Sequence, residues 1–225
     1  MMADLQRRLV AEGLGTGLLV AAIVGSGIMA AQLTQDGAIA LLANALPTGA
    51  ILVVLITVLA PISGAHLNPV VTLVMALRRL LPPREATLYA LAQLVGGVLG
   101  TGLAHAMFAL PLLETAQHVR TGPSQWLAEM VATFGLVAVI LGGIRVQPAA
   151  VPWLVGLYIT AAYWFTASTS FANPAVTIAR ALTDSFSGIR PIDAPGFILA
   201  QLVGAVLAWL LANWLWGPQS KTPAP

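Results

Sequence analysis

Two short stretches decide the fold: Asn68-Pro69-Val70 and Asn173-Pro174-Ala175, each preceded and followed by apolar residues. Asn is a preferred N-cap and Pro is tolerated at the first helical position, so each stretch predicts a helix that begins there. Inside a membrane, a helix start leaves backbone N–H groups that are tolerated only within protein or beside water. Two such starts predict a pore between two facing half-helices.

The composition is that of a polytopic membrane protein. Of the 225 residues, 58% are hydrophobic and only 8% are charged, whereas soluble domains carry about 25% charged residues. No small-residue cleavage pattern precedes the first apolar run, so we expect an uncleaved first span. The absence of cysteine excludes disulfides and thiolate metal sites. We expect the lipid bilayer as partner, and no cofactor, metal or nucleic acid.

Six segments are long enough to cross a membrane, which takes about 20 residues. They lie at about 9–31, 46–63, 86–108, 125–144, 150–167 and 195–216. The second and fifth are short for a span, and each runs directly into an Asn-Pro element. The half-helices are expected from Asn68 to about Arg79 and from Asn173 to about Asp184. The end, 217–225, is expected to be disordered.

The two halves of the chain resemble each other in order. The run Leu91-Ala92-Gln93-Leu94-Val95-Gly96-Gly97 returns as Leu199-Ala200-Gln201-Leu202-Val203-Gly204-Ala205. Pro47 and Asn68 return as Pro152 and Asn173, at a spacing of 105 residues. Three spans per half place the second copy upside down in the membrane. The prediction is one all-α channel domain over 1–225, with inverted repeats at about 9–108 and 125–216.

The distribution of Lys and Arg predicts the orientation. With the N-terminus inside the cell, seven of the ten basic residues lie on the cytoplasmic side and three lie outside. Both termini are therefore expected in the cytoplasm. The first half-helix then enters from the cytoplasm, and the second enters from outside.

The chain resembles the aquaporin (major intrinsic protein) family from about residue 9 to 216. The resemblance is carried by Ser63-Gly64-Ala65-His66-Leu67-Asn68-Pro69, by the Glu in spans one and four, and by the Ala-Gln pairs in spans three and six. It implies an aquaporin-like fold of six transmembrane helices and two re-entrant half-helices. It also implies a homotetramer with one pore per subunit, which is not an enzyme and conducts water or small uncharged solutes passively in both directions.

The physics of two facing half-helices agrees with that expectation. Asn68 and Asn173 at the pore midplane are each expected to cap a helix and to present an amide N–H, while the helix dipoles repel cations. Backbone carbonyls are expected to form a ladder of acceptors opposite an apolar wall, which suits neutral hydroxylated molecules but does not compensate the desolvation of an ion. The predicted ladder consists of Gly64, Ala65, His66, Leu67, Ser170, Phe171 and Ala172.

Two acids lie inside predicted spans, Glu12 and Glu129, and such acids are functional candidates by default. The family resemblance implies that each instead accepts hydrogen bonds from a re-entrant loop and supports its carbonyls. Proton transfer is the alternative role.

The second motif departs from the common family pattern. The position three residues after Asn173, where relatives carry Arg, is Val176. By spacing, the resemblance places the selectivity filter at Thr48, Ala161, Ser170 and Val176, a small and uncharged set that predicts a wide opening. The chain here resembles a bacterial subgroup associated with arsenic resistance. This implies a bacterial inner (plasma) membrane channel for metalloid hydroxides such as arsenite and for methylated arsenicals, with glycerol-like polyols and some water.

Arg180 follows Val176 by four residues, so both lie on one face of the second half-helix. Two roles are open for Arg180. It is either a displaced cation that draws oxygen-rich solutes into the outer vestibule, or the partner of Asp184 in an ion pair that anchors the helix end.

Two further functions stay open. One is an ordinary water and glycerol facilitator with the same fold. The other is an ion-coupled secondary transporter, since broken helices in inverted repeats also build alternating-access sites. Glu12 and Glu129 are then the only candidates for a coupling-ion site, because no Asp lies within the predicted spans.

Overall fold

A computed structural model describes residues 4–217, and over that range the regular structure is entirely helical. Six helices are long and apolar enough to cross a membrane, counting the 3-10 turn Pro148–Ala150 with the helix that follows it. Two more are short. In order they are α1 (Leu5–Leu33), α2 (Gly37–Ser63), α3 (Pro69–Leu77), α4 (Pro83–Met107), α5 (Pro123–Val146), α6 (Val151–Phe165), α7 (Pro174–Arg180) and α8 (Ala194–Trp216). The predicted six spans and two half-helices are confirmed.

Several helix boundaries differ from the prediction, and two of them bear on the half-helices and the second span. Helix α2 begins nine residues earlier than predicted, at Gly37. The Asp36 carboxylate caps it by accepting hydrogen bonds from the backbone N–H groups of Ala38 and Ile39. The expectation of a short second span was therefore wrong. Helix α7 ends at Arg180, four residues before the predicted end near Asp184. The predicted disordered tail lies outside the described residues, apart from Gly217.

Close helix crossings hold each half together. Helix α1 packs on α2 and α4, and α5 packs on α6 and α8. Where α1 crosses α4, a Cβ atom on Gly96 would collide with the Gly13 carbonyl, and one on Gly100 would collide with the Gly17 carbonyl. Glycine at these positions lets the two backbones touch.

The halves are joined through the half-helices. Helix α7 of the second half packs on α4 of the first, α3 contacts α8, and α2 packs on α6. The beginnings of α3 and α7 therefore meet in the interior of the bundle.

Candidate solute pathway

One cavity of about 750 Å³ extends through the bundle. Arg8 and Leu81 line one end, Asn68 and Asn173 line the middle, and Arg180 lines the other end. We call the two ends the Arg8 mouth and the Arg180 mouth. The cavity thus passes the point where the two half-helices begin.

The two motif asparagines each cap one half-helix and contact the other. The Asn68 side-chain oxygen accepts from Val70 N at 3.0 Å, and that of Asn173 accepts from Ala175 N at 2.9 Å. The amide nitrogen of each then donates across the junction, Asn68 to Ala172 O at 2.7 Å and Asn173 to Leu67 O at 2.8 Å. One amide hydrogen of each Asn is therefore used to join the halves.

The loops that precede the half-helices have matching, unusual backbone conformations. Ala65 and Ser170, 105 residues apart, have φ of 47° and 52°. Leu67 and Ala172, at the same spacing, have φ of 49° and 48°. Such left-handed conformations cost energy in residues with a side chain, and they persist only where the surroundings enforce them.

All but one of the predicted ladder residues line the cavity. The exception is Ala172. The Ala172 and Leu67 carbonyls already accept from the two asparagines, so these innermost carbonyls connect the halves.

Glu12 holds the first loop in place. Its carboxylate is fully buried and accepts from the Ser63 hydroxyl, from His66 N and from Leu67 N at 2.6, 2.9 and 2.7 Å. Gln93 donates to the same carboxylate at 2.8 Å. His66 and Leu67 belong to the loop before α3, so their hydrogen bonds tie that loop to α1.

Glu129 holds the second loop in the same way. It accepts from Phe171 N at 2.8 Å, from Ala172 N at 2.9 Å and from Gln201 at 2.7 Å. Like Glu12, it is fully buried and does not line the cavity.

The wall opposite the loops is apolar. It is formed by side chains of α1, α2, α5 and α6 that recur at about one helical turn. They are Leu19, Ile23, Leu52, Ile56, Leu136, Ile140, Ile144, Val155 and Ile159.

Three of the four predicted filter residues line the cavity, and one does not. Thr48, Ser170 and Val176 face it, whereas Ala161 is exposed on the outside of α6. The residue that α6 presents there is Tyr163, whose hydroxyl lies 3.2 Å from the Thr48 hydroxyl. The predicted filter region of the cavity therefore contains an aromatic ring where an alanine was expected.

A difference in spacing explains the error at Ala161. In the first half, the lining residue Ile56 precedes Asn68 by 12 residues, but in the second half Tyr163 precedes Asn173 by 10. Two residues along an α-helix amount to a rotation of about 200°, so a spacing of 12 selects the opposite face. The recurrence of Val155, Ile159 and Tyr163 every four residues is the sequence signal that indicates the lining face.

Arg180 lies in the cavity and does not pair with Asp184. It is only 1% exposed, its guanidinium carbon lies 3.4 Å from the centre of the Phe171 ring, and its Nε donates to Ser187 O. Asp184 instead accepts from Gln117 N at 3.0 Å. Within residues 4–217, Arg180 and Asp184 form no ion pair. The alternative in which Asp184 anchors Arg180 was therefore wrong, and the Ser187 carbonyl is the observed partner.

Sequence reasoning missed a second buried arginine, Arg120, in the loop between the halves. It donates to Gly188 O at 2.8 Å, and its guanidinium carbon lies 5.2 Å from the centre of the Phe171 ring. Burial lowers the pKa of Arg120 to about 10, so it is still protonated at neutral pH. It does not line the cavity. Its position in a polar loop carried no sequence signal of burial.

The arrangement defines a class of protein: a membrane channel with two re-entrant half-helices. The chain belongs to the major intrinsic protein family, whose profile ("Major intrinsic protein") matches residues 2–147 and 143–223. Members of this family are aquaporin-type channels and not enzymes.

Individual relatives agree with this assignment. The chain is 65% identical over 215 residues to the aquaglyceroporin AqpS of Rhizobium meliloti (strain 1021), covering 96% of this chain and 92% of the relative. It is 32% identical over 244 residues to aquaporin AqpM of Methanothermobacter marburgensis, covering 95% and 99%. The X-ray structure of the aquaglyceroporin from Plasmodium falciparum has the same fold, with a TM-score of 0.75 at 22% identity over 96% of this chain and 98% of that one.

Proposed function

We propose that the protein is a passive, bidirectional channel for small neutral hydroxylated solutes: metalloid hydroxides such as arsenite, glycerol-like polyols and some water. One observation carries the proposal. The cavity passes between the two half-helices, and among the described residues neither an Asp nor a Glu lines it. A coupling ion has no carboxylate to bind there, which favours a channel over an ion-coupled transporter.

The two-sided lining supports neutral solutes. Loop carbonyls and the asparagine amides offer acceptors and donors on one side, and the other side is a continuous apolar wall. A hydroxylated solute can exchange water contacts for the polar side while its carbon or metalloid skeleton faces the apolar side. A cation would lose its hydration shell without an opposite charge in return.

The midplane adds a barrier to cations. Helices α3 and α7 both begin there, at Asn68 and Asn173. Helix N-termini carry a partial positive charge, so a cation meets positive potential from two directions. Neutral molecules do not feel this barrier to the same degree.

The filter supports a permeant somewhat larger than water. Thr48, Ser170, Val176 and Tyr163 bring three hydroxyls and one apolar side chain to the constriction. Glycerol permeation is supported further by the name of the 65% identical relative, an aquaglyceroporin. Arsenous acid is neutral at pH 7 and resembles a small polyol, and the chain has no cysteine thiol for trivalent arsenic to attack.

We also propose the assembly and its location. The spanning helices expose many large apolar side chains, which suits contact with lipid and with further copies of the chain in a homotetramer. The distribution of basic residues favours cytoplasmic termini, and the similar Rhizobium protein favours a bacterial inner membrane. In that orientation the Arg180 mouth faces the outside and the Arg8 mouth faces the cytoplasm.

Stopped-flow light scattering on proteoliposomes tests the proposal. Vesicles containing the protein are mixed with excess glycerol, arsenous acid or an impermeant osmolyte, and protein-free vesicles are the control. We expect both solutes to enter several times faster than in the control. Entry of water alone would limit the protein to a water channel, and entry of neither solute nor water would overturn the proposed function.

A further inference from the structure

The structure points to a binding site at the Arg180 mouth. Its arginine lies four residues beyond Val176, the position where relatives carry Arg. We propose that Arg180 and Ser170 together bind a hydroxyl oxygen of the passing solute. We propose also that Arg180 supplies the constriction with the fixed positive charge that Val176 lacks. This inference rests on the proposed function and specifies how that same pathway selects its solute.

The first support is two polar groups without partners. Arg180 Nη1 and Ser170 Oγ are both buried, and neither has a hydrogen-bond partner in the described part of the chain. Both residues are more than nine-tenths buried, at 1% and 3% exposure, and both line the same cavity. A buried polar group without a partner is unfavourable. Groups of this kind, at the wall of a passage, are suited to an oxygen that arrives with the solute.

The second support is that Arg180 is held rigidly. Its guanidinium stacks on the Phe171 ring at 3.4 Å, and its Nε is occupied by Ser187 O. Phe171 is in turn fixed by Phe197, with ring centres 5.1 Å apart, and by the hydrogen bond of its backbone N to Glu129. The side chain is therefore positioned before any solute arrives, so less conformational entropy is lost on binding.

A hydrogen-bonded chain behind Arg180 fixes the loop that carries Ser187. The ring of His105 lies 2.7 Å from the Thr183 hydroxyl, which donates to the Ser185 hydroxyl at 2.9 Å. The Ser185 and Ser187 hydroxyls are 3.3 Å apart. His105 is fully buried in α4, so this chain connects the loop to a spanning helix.

The third support is the charge. No carboxylate pairs with Arg180 in residues 4–217, and there the guanidinium of the nearby Arg120 donates only to carbonyl oxygens. The positive charge of Arg180 is thus not neutralised by an ion pair, and it acts in a region of low dielectric constant where charge effects are strong. A solute oxygen is attracted, and a cation is repelled.

The test compares variants in proteoliposomes by two readouts: the ratio of glycerol to water permeability, and the rate of proton leak detected by a pH-sensitive dye. Arg180→Met removes both the donor and the charge. We expect the ratio to fall roughly tenfold, the loss expected for one charge-assisted hydrogen bond, and the proton leak to rise. Arg180→Lys keeps the positive charge but lacks the planar, rigid guanidinium group. We therefore expect a lower ratio of glycerol to water permeability and no increase in proton leak.

Arg190→Met is the matched control. Arg190 is a partly exposed arginine paired with Asp193 at 3.0 Å on the same side of the protein, and it does not line the cavity. Its loss changes the net charge equally and should leave both readouts little changed, because the Arg190 side chain lies outside the cavity.

The outcomes separate this inference from the proposed function. If the unaltered protein conducts glycerol but Arg180→Met matches it in both readouts, the binding site is wrong and the channel stands. If Arg180→Met does not fold, Ser170→Ala carries the test: a lower glycerol ratio without proton leak supports the site, and an unchanged ratio overturns it. A failure of the unaltered protein to conduct overturns the proposed function itself.

Discussion

The two half-helices differ most in chemistry at the eighth place of their shared motif. The first reads Asn68-Pro-Val-Val-Thr-Leu-Val-Met75, and the second reads Asn173-Pro-Ala-Val-Thr-Ile-Ala-Arg180. Met75 and Arg180 both occupy the eighth place, both are buried and both line the cavity. The same place in the motif thus presents an apolar side chain to the cavity in the first half-helix and a cation in the second. The two copies of the motif therefore share a backbone geometry but differ in the side chain that they present to the cavity at this place.

The supports beneath the two half-helices follow the same pattern of likeness with local change. Gln93 connects Glu12 to Thr72, and Gln201 connects Glu129 to Thr177, all at 2.7 to 3.0 Å. The rings beside the loops differ, however. His66 lies 5.4 Å from Tyr89 in the first half, and Phe171 lies 5.1 Å from Phe197 in the second. An arginine lies over one ring of each pair: the guanidinium carbon of Arg8 is 5.2 Å from the centre of the Tyr89 ring, and that of Arg180 is 3.4 Å from the centre of the Phe171 ring.

The largest expected effect compares the two buried acids. Glu12→Ala leaves two buried backbone N–H groups without acceptors, which should cost about 2–6 kcal/mol. Glu129→Ala should cost less, because Glu12 also accepts from a serine hydroxyl. Thermal unfolding in detergent, followed by tryptophan fluorescence, checks the order. Equal stability of both variants and the original protein would contradict the role of these acids as loop supports.

The next effect compares the matched valines, Val71 and Val176, which both line the cavity. An arginine at either position fills the passage, so we expect glycerol permeability to fall roughly tenfold or more in Val176→Arg and in Val71→Arg, the scale of a few kcal/mol for a charge placed in a desolvated site. Val176→Arg should also lower stability, because the new charge lies one helical turn from Arg180. Val176→Leu serves as the control for added volume. Unchanged glycerol flux in Val176→Arg would remove Val176 from the constriction.

A smaller effect compares α6 with α2. Tyr163→Ile copies Ile56, the lining residue of the first half, and removes both a ring and a hydroxyl from the constriction. We expect glycerol permeability to rise several-fold and larger polyols to begin to pass. Ala161→Ile places the same side chain on the outside of α6 and should change neither. An effect of Ala161→Ile without an effect of Tyr163→Ile would show that Ala161, and not Tyr163, faces the cavity.

The smallest effect concerns Thr48, whose counterpart on the lining face of α6 is Val155. Thr48→Val keeps the shape of the side chain and removes the hydroxyl that faces Tyr163 at 3.2 Å. A neutral hydrogen bond contributes about 0.5–1.5 kcal/mol, so we expect roughly a twofold to tenfold lower ratio of glycerol to water permeability, with water flux itself little changed. A water flux that changes as much as the glycerol flux would show that Thr48 controls width alone.

Much of the fold could be predicted because membrane helices leave strong signals. An Asn-Pro pair inside apolar sequence has few structural explanations, and the repeat of Asn68 at Asn173 supplied the symmetry. The early start of α2 was missed because Asp36 was not recognised as the N-cap that places the helix start at Gly37. Tertiary contact with α1 stabilises α2.

The site was harder to predict because its chemistry depends on rotation and on long-range contacts. Thr48, Ser170 and Val176 were placed in the cavity by their distance from the motif asparagines. The same rule failed at Ala161, where two residues of spacing reverse the face. Arg180 was singled out, but its stacking on Phe171 and its bond to Ser187 arise from a loop that only the folded chain brings into contact.

The most direct test of the central claim is the dependence of glycerol flux on concentration and on ion gradients in proteoliposomes. A channel with two half-helices and, in residues 4–217, no carboxylate lining its cavity should conduct in proportion to the glycerol gradient, equally in both directions, with or without gradients of protons or sodium. Saturation at low concentration together with a requirement for an ion gradient would contradict the account and identify a coupled transporter.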